Sequence, residues 1–147
     1  EKCWGDQNYS ELIKLLLNEP SYQLCIIGSN EDRDRITAET WNRQDLRVRN
    51  MCGNLSLRQS AALVAKSDFV LSNTSLCMHL AGAFRIPSLI LLGLCYKNAT
   101  LHADQWGYPE GKVLGREVSE GQLSVLSAEK AYEVFRKQIA RRNETLR

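Results

Sequence analysis

The chain has 147 residues, 44% of them hydrophobic and 24% charged, with 19 basic against 17 acidic residues for a formal charge of +2. That length and balance predict one globular domain with a real core, and exclude a disordered, collagenous or coiled-coil chain. The small net charge argues against a nucleic-acid binder, and no run reaches the ~18 apolar residues of a membrane span. The chain opens Glu1-Lys2-Cys3-Trp4, with neither an initiator Met nor a signal-peptide core, so a piece of a longer protein is expected.

Helix-like and strand-like segments alternate along the chain. Asn8 and Glu11 read as a capping pair for a helix whose stripe is Tyr9, Leu12, Ile13, Leu16 and Leu17, stopped by Pro20. Tyr22 to Ile27, closed by Gly28, reads as a buried strand. Glu31 to Trp41 is a polar surface helix with a thin stripe, Ile36 and Trp41. Leu46, Val48 and Met51 mark a second strand before Gly53.

Ser56 and Gln59 form a second capping pair, and Leu57, Ala61 and Val64 give the buried face of the helix they open. Asp68 to Leu71 is a strand that runs into Ser72-Asn73-Thr74-Ser75. Leu76, Leu80, Ala83 and Phe84 then recur at helical spacing. After Ile86-Pro87, Ser88 to Leu92 is the most apolar strand and is placed centrally in the sheet. Asn98 to Pro109 reads as a loop, and Val113-Leu114 as a last short strand. A C-terminal helix begins near Ser127, with Ala131, Val134, Phe135, Gln138 and Ile139 as its stripe. This βα alternation predicts a three-layer, Rossmann-like α/β domain over residues 1–147 with a mostly parallel sheet.

Cys3, Cys25, Cys52, Cys77 and Cys95 are odd in number and lack the spacing of a metal site. They read as free thiols of a reducing compartment, with Cys25 a small hydrophobe inside its strand. The Asn-x-Ser/Thr sequons at Asn8, Asn54, Asn73, Asn98 and Asn143 are not read as secretion signals.

In a parallel sheet, ligands lie beyond the C-terminal ends of the strands. The loop Ser72, Asn73, Thr74, Ser75 leads into a helix there, and the backbone N–H groups and hydroxyls at such a start make a phosphate cradle. His79, one turn in, reads either as an added donor to an oxyanion or as a structural histidine. Glu31, just after Gly28, reads equally as an acceptor for ribose hydroxyls or as an acid favoured by a helix start. Lys2 is a phosphate ligand or a solvated charge. Neither a dinucleotide fingerprint, a Walker lysine nor a nucleophile triad is present; His102 and Asp104 have no activated serine or cysteine beside them.

The run Gly53-Asn54-Leu55-Ser56-Leu57, then Ala61 to Val70, Ser72 to Phe84, Ile86-Pro87 and Leu92-Gly93, resembles the donor-binding half of bacterial ADP-heptose:lipopolysaccharide heptosyltransferases. Lys2-x-Trp4 leading into a helix, and Gly28-x-x-Glu31, resemble the same family, so the likeness runs from Lys2 to about Gly111. The resemblance implies one half of a GT-B glycosyltransferase. It implies that Lys2 contacts donor phosphates and Glu31 the ribose, and that Gly53 to Leu57 walls the adenine. Ser72, Asn73, Thr74, Ser75, His79 and Gly93 then surround the diphosphate and sugar. The donor is a nucleotide sugar, ADP-linked; no further cofactor and no metal is expected.

The activity so implied is transfer of heptose, or a related sugar, with inversion onto a lipopolysaccharide core or similar glycan. The general base and most of the glycolipid acceptor site belong to an N-terminal domain absent from this chain, so no catalytic residue is assigned here and the chain alone is expected to be inactive. The setting implied is the cytoplasm, at the inner face of the inner membrane, with peripheral membrane association of the parent protein. The alternative is a noncatalytic nucleotide- or glycan-binding module of the same fold. The chain departs from the family pattern at Thr74, usually aspartate; at Leu76, usually glycine; and at Leu94-Cys95, usually proline-threonine. A leucine side chain where backbone normally closes on the ligand is expected to crowd the site and alter donor selectivity.

Overall fold

The structure is a computed structural model that describes residues 3–35, 45–96, 98–119, 122–124 and 126–145. In chain order the elements are α1 (Asp6–Leu17), β1 (Leu24–Ile26), α2 (Asn30–Arg35), β2 (Val48–Asn50), α3 (Leu57–Ala65), β3 (Val70–Ser72) and α4 (Leu76–Ala83). They continue with β4 (Ser88–Leu91), α5 (Ala99–Trp106), β5 (Gly111–Leu114), β6 (Glu117–Ser119), β7 (Gln122–Ser124) and α6 (Ala128–Thr145).

The apolar run at Ser88 makes the centre, as its sequence predicts. β4 is buried at every residue and lies between β3 and β5, parallel to both. Its alternate side chains face two different cores, as the period of two requires. Leu89 and Leu91 pack with Trp4, Leu12 and Leu16 from the α1 side and with Ala131, Val134 and Phe135 of α6. Ile90 and Leu92 pack with Met78 of α4, Ala99 of α5, and Tyr108 and Val113. Each such fully buried aliphatic side chain contributes about 1.5–3 kcal/mol. Helices on both faces of parallel strands are the three-layer α/β architecture.

β1 and β2 form a second parallel ladder, Leu24 opposite Val48 and Ile26 opposite Asn50. Leu24 packs on the α1/α6 core, and Ile27 packs on Val64, Val70 and Ala81. Cys25, expected inside, is exposed instead. The strand alternates, so Leu24 and Ile26 turn in and the thiol between them turns out. β6 and β7, which the sequence pattern did not suggest, make an antiparallel hairpin beyond β5.

α1 starts earlier than its expected cap. The chain turns at Gly5, with φ 112°, and enters the helix at Asp6 without a side-chain cap. Asn8 instead donates from Nδ2 to the Trp4 carbonyl at 2.8 Å. The capping box of α3, Ser56 with Gln59, is present as expected, and Ser127 Oγ accepts from Lys130 N at the start of α6. α5 occupies what reads as a loop, capped by Asn98, whose side chain accepts from Leu101 N at 3.1 Å. α2 is described from Asn30 to Arg35; Ile36 and Trp41, its expected stripe, lie outside the described residues.

Candidate functional site

The ends of β1 and β2 are held together by a 2.9 Å bond from Gly53 N to Gly28 O. Gly53 has φ 71°, and a Cβ there would stand 2.0 Å from Asn30 Oδ1, so only glycine suits the position. Just beyond β2, the Cys52 thiol is pushed up to about 11, first by burial and then by Asp32, Cys25 and Cys77. Cys77 belongs to the first turn of α4. Ile27, just past β1, and Cys77 pack against the same cluster of Val64, Val70 and Ala81, so the β1 end and the start of α4 are neighbours.

The loop after β3 is built on hydroxyl bonds. Ser72 Oγ donates to the Asn73 carbonyl at 2.7 Å. Ser75 Oγ lies 3.0 Å from Ser72 Oγ; since the Ser72 proton is already engaged, Ser75 is the donor. Ser75 is also the N-cap of α4, accepting from Cys77 N. The Asn73 side-chain oxygen accepts from Trp4 N at 3.2 Å and from Tyr9 OH at 2.9 Å. Three of the four polar side chains in the loop thus hold the loop, α4 and the start of the chain together. The hydroxyl left over is that of Thr74, at the positive end of the α4 dipole.

Two histidines flank this point. His79, exposed on α4, has Nδ1 2.8 Å from Tyr108 OH. His102 of α5 is buried, and its Nε2 lies 3.0 Å from Thr74 Oγ1. Burial, and then the nearby His79, hold the His102 imidazole below the ordinary histidine range. Tyr96 packs edge-on against the His102 ring, with centroids 5.1 Å apart.

The structure brings Ser72, Asn73, Thr74, Ser75 and His79 together at the end of β3 and the start of α4. Glu31 is exposed in the first turn of α2, and Gly53 sits beside that helix's first residue, Asn30. Leu57, expected on the buried face of α3, is 64% exposed instead: it is the first residue after the Ser56 cap, and the helix packs on the core further along, at Val64. Gly93 is buried just beyond β4. Leu76 is more than half exposed, and Cys95 is exposed beyond Gly93. Lys2 lies outside the described residues; Trp4, two positions on, is tied to the loop through Asn73. His102 and Tyr108 were not among the expected site residues. Asn98, a good N-cap type ahead of Ala99 and His102 at helical spacing, was the available signal for the first. Tyr108 reaches the site only through tertiary packing.

Surface grooves of about 390 and 470 Å³ lie elsewhere, where α1 meets α6, and share Tyr132, Arg136 and Ala140.

Parallel strands between helix layers, with a strand-end loop feeding a helix N-terminus, define a Rossmann-like, three-layer α/β protein. The model of glycosyltransferase family 9 (heptosyltransferase) matches residues 1–117, and the chain belongs to that family. Lipopolysaccharide heptosyltransferase 2 of Salmonella typhimurium is 35% identical over 95 residues, which are 63% of this chain and 27% of that protein. The Escherichia coli protein of the same name is 34% identical over 95 residues, again 27% of its length. A solved structure of E. coli ADP-heptose LPS heptosyltransferase II superposes with a TM-score of 0.77 at 24% identity, covering 97% of this chain and 43% of that one. The chain thus spans less than half the length of these relatives. No helix of the described residues is long and apolar enough to cross a membrane.

Proposed function

We propose that this chain is the donor-binding half of an inverting glycosyltransferase. Its substrate is an ADP-linked heptose or related sugar, and the transfer is to a lipopolysaccharide core or similar glycan. The acceptor, and the base that takes its proton, are assigned to an N-terminal domain outside this chain. That assignment agrees with the chain's share of its relatives' length. The glycolipid acceptor puts the reaction in the cytoplasm at the inner face of the inner membrane, with the parent protein peripheral to it.

The observation that carries the reading is the loop after β3, which offers the Thr74 hydroxyl at the N-terminus of α4 with His79 one turn on. When the bond from sugar to diphosphate breaks, negative charge builds on the leaving phosphate. A helix N-terminus and fixed donors at that point favour the charge as it develops. Tyr108 OH engages His79 Nδ1, and the other ring nitrogen is assigned as such a donor. Glu31 accepts from the ribose, Gly53 and Leu57 border the base, and Gly93 lets the far side of the site approach closely. Lys2 adds a positive charge from the segment that Asn73 ties down.

Calorimetric titration of the chain with ADP, UDP and GDP tests this. Binding of ADP in preference to the other two is expected. Absence of binding by all three would contradict the reading, and equal binding would contradict the ADP-linked donor.

A further inference from the structure

We infer that His102 is a positioning residue that turns the Thr74 hydroxyl proton outward, toward an anionic oxygen of the bound donor. The inference rests on the donor-site reading above. It starts from the hydroxyls of the loop. The Ser72 proton goes to the Asn73 carbonyl and the Ser75 proton to Ser72. Thr74 is the one hydroxyl there whose proton is not fixed by the loop itself; it depends on His102 Nε2, 3.0 Å away.

The two tautomers of His102 give the site opposite characters. With the proton on Nδ1, Thr74 donates inward to Nε2 and shows a ligand only lone pairs, which repel an anion. That tautomer also buries an N–H without an acceptor, because Nδ1 has no hydrogen-bond partner among the described residues. With the proton on Nε2, the ring donates to Thr74 Oγ1, and the Thr74 proton is free to rotate toward the ligand. Only a lone pair is then left bare at Nδ1. Burial favours the neutral ring, in which one nitrogen carries a proton and the other does not. The ring is held for this by Tyr96 at its edge and by α5, which Asn98 caps. A buried imidazole thereby fixes the polarity of a surface hydroxyl, and the strand-end loop presents a donor to phosphate.

Two measurements on the 147-residue chain test the assignment. Long-range proton–nitrogen NMR of the free wild-type protein reads the tautomer of His102 directly, and the Nε2-protonated form is expected. ADP titrations then compare His102→Leu, His102→Gln and Thr74→Val. Thr74→Val is expected to bind about five- to tenfold more weakly, the loss of one hydrogen bond; His102→Leu, which keeps the hydroxyl but no longer orients it, is expected to bind more weakly than wild type by a smaller factor, and the double variant no more weakly than Thr74→Val alone. His102→Gln, whose side-chain amide replaces the Nε2 donor, is expected to restore most of the affinity. Melting temperatures taken alongside separate this from loss of fold.

A proton on Nδ1 in the free protein would overturn the inference whatever the variants do. So would ADP binding by His102→Leu equal to wild type, or equal losses in the Leu and Gln variants at unchanged melting temperature. No ADP binding by the wild type would overturn the donor-site reading and this inference with it. Wild-type binding with unmoved variants would overturn the role of His102 alone.

Discussion

The ring of Tyr108 lies against the backbone of Gly82, so closely that a Cβ at position 82 would stand 2.2 Å from the ring's Cγ. That approach carries the Tyr108 hydroxyl to His79 Nδ1, one turn back along α4. A helical glycine, which looks like a weakness by propensity, is what connects the helix to the chain before β5.

Gly82→Ala is therefore expected to destabilise the protein by about 1–3 kcal/mol through overpacking. Helix propensity alone gives the opposite sign, a gain of about 1 kcal/mol. Thermal melting decides between them: a raised midpoint would show that the Tyr108 ring moves aside without cost.

Asn73→Ala removes the acceptor shared by Trp4 N and Tyr9 OH. The Tyr9 hydroxyl sits where burial drives its pKa well above the ordinary phenol range, so it has little water to turn to. A loss of about 1–3 kcal/mol is expected in urea denaturation. An unchanged midpoint would mean the chain start is held by the packing of Trp4 alone.

His79→Ala is expected to act differently. Its ring is exposed and bonds only to Tyr108 OH among the hydrogen bonds described. Affinity for ADP is expected to fall by about 0.5–3 kcal/mol with little change in melting temperature. Equal affinities by calorimetry would make it a structural residue.

The layer order was legible in the sequence because β4 and the stripes of α1 and α6 state it locally, whereas Leu57, Leu76 and Phe84 of the α3 and α4 stripes are exposed: four consecutive buried positions at Ser88 to Leu91 admit only a central strand. The place of the loop after β3 was legible as well, since a polar run between a strand and a helical stripe marks a strand end. The division of labour inside that loop was not. Asn73 faces inward because Trp4 and Tyr9, more than sixty positions away in sequence, need an acceptor there. α5 was hidden because Trp106, Gly107 and Pro109 read as loop punctuation, although its cap, Asn98, stood in view. Tyr108 and His102 carry no local signal of their partners, which lie 29 and 28 positions away.

The pH dependence of stability follows from His102. Its pKa is lowered in the folded protein, first by burial and then by His79, while the unfolded chain takes up the proton near the ordinary value of about 6.5. Between those two values the unfolded state binds more protons, so stability is full above about pH 6.5 and is lost as the pH falls through the folded value. Urea midpoints between about pH 7.5 and 5 should fall more steeply for wild type than for His102→Gln. Equal slopes would mean that His102 protonates as easily in the folded state as in the unfolded one.

The central claim is that a nucleotide diphosphate binds where the loop after β3 meets α4. Backbone amide shifts of the nitrogen-labelled chain, followed through an ADP titration, test it most directly. Saturable shifts are expected at Thr74, Ser75, Leu76, Cys77 and His79, with a second group at Glu31 and Gly53. Shifts confined to the grooves around Tyr132 and Arg136, or no shifts at all at saturating ADP, would contradict it.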